Sequence, residues 1–161
     1  MTRPSGRTFI LSLLCLSLGA AAGWADGLST SFADVMITGV PAGASYSLKS
    51  AQRGGYRLRN LGDRLVHVHV EARVPQPAEL RGGAEPIENA EWVTLQPNTF
   101  ELGPHQEIEC DVIIQIPNSP RYRGRFFQAM IFSKGQASGG DRGIQLGTGL
   151  LSRLRFKMGD K

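Results

Sequence analysis

Two stretches of this 161-residue chain alternate apolar and polar side chains with a period of two. In "VHVHVEARV" (66–74) the valines and an alanine share one face, and histidines and charged residues share the other. In "IECDVIIQI" (108–116) one face holds Ile108, Cys110, Val112, Ile114 and Ile116. This period is typical of a strand with one side on a core and the other in water. No window after Asp26 keeps a 3.6-residue apolar period over ten residues, so the pattern predicts a sheet protein.

Shorter strands are predicted between clusters of glycine, proline and asparagine. We expect them near Phe32–Thr38, Ser45–Ser50, Tyr56–Asn60, Trp92–Leu95, Phe100–Leu102, Arg125–Ser133 and Ile144–Lys157. The segment from Pro75 to Asn89 holds three prolines and two adjacent glycines, which favour a long, mobile loop. "GGDRGIQLGTG" (139–149) is interpreted as a hairpin, and "GLSTS" (27–31) as part of a flexible terminus. The spacing of the strands predicts one β-sandwich or barrel.

The first residues have the pattern of a secretory signal peptide. Arg3 and Arg7 precede the apolar run "FILSLLCLSLGAAA" (9–22), and Gly23 and Ala25 are small residues suited to a cleavage site. We predict that residues 1–25 are removed before Asp26, with a cut between Ala22 and Gly23 as the alternative. Residues 26–161 then form one domain in the periplasm or at the cell surface, with no transmembrane segment after cleavage.

Charge and cysteine content narrow the possible functions. Loss of the two signal-peptide arginines lowers the formal net charge from +4 to +2, so the mature chain is not basic enough to require nucleic acid. Cys15 lies in the signal, which leaves Cys110 without an intrachain disulfide partner. Because Cys110 shares its face with isoleucine and valine, we predict a buried thiol and not a nucleophile.

The order of three segments resembles a known family. These are "GYRLRNLGDRLVHVHVEARV" (55–74), "WVTLQPNTFELGPHQEIECDVIIQIP" (92–117) and "YRGRFFQAMIFSKG" (122–135). Together they resemble immunoglobulin-like domains of the bacterial envelope, similar to the first domain of periplasmic pilus chaperones and to peptidoglycan-associated surface domains. The resemblance implies an all-β fold, a single immunoglobulin-like antiparallel β-sandwich of about seven to nine strands. It also implies an envelope location and a protein partner; no chaperone site residue is carried over.

An arginine-rich turn is the candidate binding site. In "RYRGRFF" (121–127), the residues Arg121, Tyr122, Arg123 and Arg125 surround a turn and could bind an anionic polymer or cell-wall glycan. The alternative is a solvated strand entry in which arginine stems cover aromatic rings. The following strand is apolar on both faces. It is therefore either central and covered twice, or it meets a partner.

The histidines of the first alternating strand could begin a metal site. His67, His69 and Glu71 would share one outward face, but side chains two apart on a strand are roughly 6–7 Å apart. One ion would therefore need a ligand from a neighbouring strand, and His105 is the only other histidine. A polar outer face is the alternative, and we predict no metal and no cofactor.

No nucleophile, base and acid can be assembled from the sequence, so we predict that the protein is not an enzyme. We expect an exported binding or structural protein that docks onto another secreted or envelope protein through a sheet edge or apolar face. It would be chaperone-like or a subunit of a pilus or surface complex. The alternative is a module that binds glycan or anionic polymer through the Arg121–Arg125 cluster.

Overall fold

A computed structural model describes residues 27–137 and 147–160, and their regular structure is almost entirely strand. The predicted signal peptide and most of the predicted hairpin tip lie outside these residues. The strands are β1 (Leu28–Ser29), β2 (Asp34–Val40), β3 (Ser45–Ser47), β4 (Tyr56–Asn60), β5 (Val66–Arg73), β6 (Glu85–Pro86), β7 (Val93–Gln96), β8 (Thr99–Leu102), β9 (Glu107–Gln115), β10 (Phe126–Ala137) and β11 (Gly147–Met158). Three short 3-10 turns connect them, at Pro77–Glu79, Ala90–Trp92 and Pro120–Tyr122.

The strands form two sheets. In the first, the order is β1-β4-β9-β3, and β7 also pairs with β9, at Asp111–Ile114. In the second, the order is β2-β11-β10-β5-β8, with the short β6 parallel to β10. The pairing is antiparallel except for β6 with β10 and β2 with β11. We call these the β9 sheet and the β10 sheet.

Both alternating segments line the interior between the two sheets, except at Val74, which lies beyond the end of β5 and is 41% exposed. Cys110, Val112 and Ile114 are fully buried on β9, and Val68 and Val70 on β5 are each only 1% exposed. Buried apolar area is the main stabilising contribution to such a fold, since each large aliphatic side chain removed from water contributes about 2 kcal/mol. The predicted two-layer core is confirmed.

Most strand positions were predicted within two residues, and two short strands were missed. The prediction of a flexible start after Gly27 was wrong for Leu28–Ser29, which pair with the end of β4. The long connection after β5 exists, but Glu85–Pro86 pair with β10. Neither strand is long enough to show alternation.

The chain changes sheet between β1 and β2. Thr30 donates its hydroxyl to the Arg57 carbonyl at 2.6 Å, and Phe32 is buried against the ring of Tyr56 with centroids 5.3 Å apart. The next carbonyl, that of Ala33, accepts a hydrogen bond from the Arg153 amide at 2.9 Å. Residues 30–33 therefore carry the chain from the β9 sheet to the edge of the β10 sheet.

A buried amide links the two sheets at one end. Asn60 closes β4 and is fully buried. Its Nδ2 donates to the carbonyls of Arg64, Leu102 and Gly103 at 2.7–3.2 Å, and its Oδ1 accepts from the Gly62 amide at 2.9 Å. Because Leu102 ends β8 of the other sheet, the side chain holds the β4–β5 turn and both sheets in one register.

Replacing Asn60 with alanine should destabilise the fold strongly. Asn60→Ala leaves several buried backbone groups without partners, and each such group costs about 1–3 kcal/mol. We expect a loss of about 3 kcal/mol in the free energy of unfolding, measured by urea denaturation. Asn98→Ala is the matched control, since Asn98 is exposed and its side chain has no hydrogen bond among the described residues. Equal stability of the two variants would contradict this account of Asn60.

Candidate functional site

The first half of β11 lies at an open edge of the β10 sheet. β10 pairs with β11 from Gly147 to Lys157, but β2 begins to pair on the opposite side only at Arg153. Among the described residues, no strand pairs with Gly147–Ser152 on that side. We call these six residues the open segment.

The backbone of the open segment presents unpaired groups outward. In an antiparallel pair, successive residues direct their N–H and C=O alternately toward and away from the neighbouring strand. The Arg153 amide points toward β2, where it donates to Ala33. Gly147, Gly149 and Leu151 therefore direct their amides and carbonyls to the same side, away from β10. Such a row is a template for another strand.

An apolar patch accompanies this edge on the outer face of the sheet. Leu151 is 51% exposed and lies opposite the half-buried Phe132 of β10. The Phe132 ring leans over Gly149, where an added Cβ would lie 3.2 Å from the ring. On its other side, the Arg73 guanidinium stacks on the same ring at 3.8 Å from the centroid. The apolar patch therefore consists of Leu151 and Phe132, and the Arg73 guanidinium packs on one face of the Phe132 ring.

On the same outer face, the beginning of β10 is covered by the chain's own connection between β5 and β7. Gln128 is fully buried there, although its side chain points away from the core. Its Oε1 accepts from the Arg81 amide at 3.0 Å, and its Nε2 donates to the Glu79 carbonyl at 2.9 Å. The strand is therefore central and its beginning is covered on both faces, as the first alternative predicted. Half-buried Phe132 lies beside the open segment, and a partner at this position stays a prediction.

Two arginines and one carboxylate mark the point where the open segment ends. Asp34 of β2 accepts from Arg153 Nη1 and from Arg155 Nε, both at 2.9 Å. Burial opposes ionisation of Asp34, but the hydrogen bonds and charges of the two arginines outweigh it, so its pKa is lowered. Arg153 Nε is buried without a hydrogen-bond partner among the described residues. The cluster keeps one positive charge in excess.

Two of the three arginines in the predicted turn form ion pairs with acidic residues from the preceding connection. Arg121 Nη2 lies 2.7 Å from Glu88 Oε2, and Arg125 pairs with Glu85. Tyr122 is only 2% exposed, and its hydroxyl donates to Glu88 at 2.8 Å. Sequence reasoning missed these pairs because their members are 33 to 40 residues apart.

The four residues of that turn therefore have different environments in the structure. Tyr122 packs edge-on against Trp92, with centroids 5.1 Å apart, which is a structural position. Arg123 is exposed and has no side-chain partner among the described residues. Binding of an anionic polymer by this turn stays a prediction, with Arg123 as its one arginine that has no acidic partner among the described residues.

The histidines of β5 pair with carboxylates on the exposed face. His67 Nδ1 lies 3.2 Å from Glu101 Oε1, and His69 Nε2 lies 3.6 Å from Glu71 Oε2. His69 Nδ1 is also 3.0 Å from the Thr99 hydroxyl. Within residues 27–137 and 147–160, no three ligand side chains converge as a metal site requires.

Cys110 occupies the core position predicted for it. It is fully buried, and burial raises the pKa of its thiol to about 11, with Lys49 opposing that shift. A thiol with this pKa stays protonated at neutral pH, so it is a poor nucleophile.

No protein-family model matches this chain, and no curated protein is similar to it. Solved structures do share its fold. PapD-like domain 7 of human CEP192 matches with a TM-score of 0.55 and 11% identity, over 99% of each chain. The E. coli chaperone DraB matches with a TM-score of 0.52 and 15% identity over 84% of this chain, and the YadV chaperone with 0.51 and 10% over 83%.

These similarities show the fold. The chain has an immunoglobulin-like β-sandwich fold, similar to that of PapD-like domains, which confirms the predicted fold and the fold-level resemblance to pilus chaperone domains. It covers only 56% of DraB and 52% of YadV. The described residues contain no helix that is long and apolar enough to span a membrane.

The ion pairs of Asp34 with Arg153 and Arg155 should make the stability of the fold depend on pH. Because its folded pKa is lowered, Asp34 stabilises the fold above its unfolded value, near 4, and this contribution disappears as pH falls through the folded pKa. Asp34→Asn should therefore be less stable than the parent at pH 7, and the difference should shrink as the pH falls below about 4 and through the folded pKa of Asp34, measured by urea denaturation. Glu107→Gln is the matched control, because it removes an exposed carboxylate that lies outside any ion pair among the described residues. A pH-independent difference for Asp34→Asn would contradict this assignment.

Proposed function

We propose that this protein is an exported, non-catalytic binding protein of the bacterial envelope that accepts a strand from another exported protein at the open segment. The observation that carries the proposal is the outward row of amides and carbonyls at Gly147, Gly149 and Leu151, beside an exposed leucine. Strand addition is a recurring way to recognise an extended segment, in which the backbone supplies affinity and the side chains supply specificity.

The open segment supplies both elements of such recognition. Three outward residues offer three donors and three acceptors, and each hydrogen bond contributes about 1 kcal/mol net. Leu151 and Phe132 offer apolar surface to the incoming side chain beside them. The chain crossing at residues 30–33 limits the contact to six residues, so the added strand must leave the sheet at Arg153.

The similarity in fold to two proteins named as chaperones supports a partner that is itself a protein. In a chaperone-like version, the partner would be a secreted subunit that needs a strand. In a structural version, this chain would be a subunit of a pilus or surface complex. The signal-peptide pattern of residues 1–25 supports the periplasm or the cell surface as the location.

A proline at position 151 tests strand addition without breaking the existing sheet. The Leu151 amide faces away from β10, and proline is tolerated on an edge strand where the lost N–H faces solvent. Leu151→Pro should capture a stoichiometric partner from an envelope extract at least about tenfold less well than the parent protein, since it loses a ladder donor and the apolar contact.

Leu151→Met is the matched control, because it keeps both the amide and the apolar surface, and its capture should equal that of the parent. Thermal unfolding of all three proteins checks that the sandwich is intact. If Leu151→Pro folds normally and captures the same partner with undiminished yield, the open segment is not the docking site.

A further inference from the structure

The two glycines of the open segment leave a gap on the outer face of the sheet. Gly147 and Gly149 lie opposite Gln136 and Lys134 of β10, and neither glycine places a side chain over the edge. Among the described residues, the Phe132 ring fills part of this space, at Gly149. A side chain from an added strand can therefore reach across β11 to β10.

Lys134 lies within reach through this gap. Neighbouring strands are about 4.8 Å apart, so a residue added beside Gly149 would lie about 9.6 Å from the Lys134 backbone. The flexible lysine stem and a glutamate side chain can close that distance together. Lys134 is exposed and has no ion pair among the described residues. The side chain is thus free to meet an acidic partner.

Cations exceed anions around the open segment. Arg153 and Arg155 share the single carboxylate of Asp34, and the Arg73 charge is balanced by Glu71. Together with Lys134, the described residues of this part of the face therefore carry an excess of two positive charges. Like charges across an interface exclude a basic strand, and opposite charges favour an acidic one.

We infer that the strand bound by the open segment carries an aliphatic residue and a glutamate two positions apart. This inference rests on the proposed function and names its partner class. The aliphatic residue packs on Leu151 and Phe132, and the glutamate, added beside Gly149, meets the Lys134 ammonium. Both side chains lie on the outer face, because residues two apart on a strand point to the same side.

Capped eight-residue peptides test the inference directly. One has valine and glutamate two positions apart among threonines, and two others replace the glutamate with glutamine or lysine. Residue-resolved amide exchange at Gly149 and Leu151 reports where each peptide binds. We expect all bound peptides to protect these amides, and the glutamate peptide to bind about threefold more tightly than the glutamine peptide at low salt, as an exposed ion pair allows.

A charge reversal supplies the matched comparison. Lys134→Glu should reverse the preference and favour the lysine peptide, whereas Lys157→Glu, on the same outer face but beyond the open segment, should leave it unchanged. Equal binding of the glutamate and glutamine peptides at protected Gly149 and Leu151 amides would overturn the inference and leave the proposed function standing. If no peptide protects these amides, the proposed function fails as well.

Discussion

The passage of the chain from one sheet to the other at residues 30–33 determines where a strand can be added. Phe32 is buried at this crossing, and the Ala33 carbonyl receives the Arg153 amide. The chain before the crossing is committed to β4 of the opposite sheet, so β2 covers only the second half of β11. The open segment follows from this geometry and not from any special property of its own residues.

An open edge is a hazard, because it can pair with a second copy of the same chain. The segment is short, and the charges beside it oppose such pairing. Two copies joined at this edge would combine the positive charge of both copies on one continuous sheet, and like charges across an interface oppose association. The same charges attract an acidic strand. The same residues therefore oppose self-association and favour an acidic partner. Repulsion and attraction both contribute to specificity in this way.

The sequence predicted the core of this molecule well because alternation is a local signal. The inward positions of β5 and β9 were all identified from it, and so was burial of Cys110. Periodicity does not show which strands are neighbours, or which strand lies at the edge of a sheet. Residues 147–149 fell both in a predicted strand, Ile144–Lys157, and in a predicted hairpin, and the structure places them in β11. The carboxylates that neutralise Arg121 and Arg125 come from a proline-rich connection with no periodic pattern.

Amide hydrogen exchange in the free protein, resolved by residue, tests the open edge most directly. Protection along the open segment should alternate: the Leu150 and Ser152 amides, which face β10, should exchange slowly, and those of Gly149 and Leu151 should exchange at nearly the rate of an unstructured chain. Beyond Arg153, where β2 pairs with the strand, both sets should be protected. Equal, strong protection of Gly149, Leu150, Leu151 and Ser152 would mean that another segment already occupies this edge, and the account would be wrong.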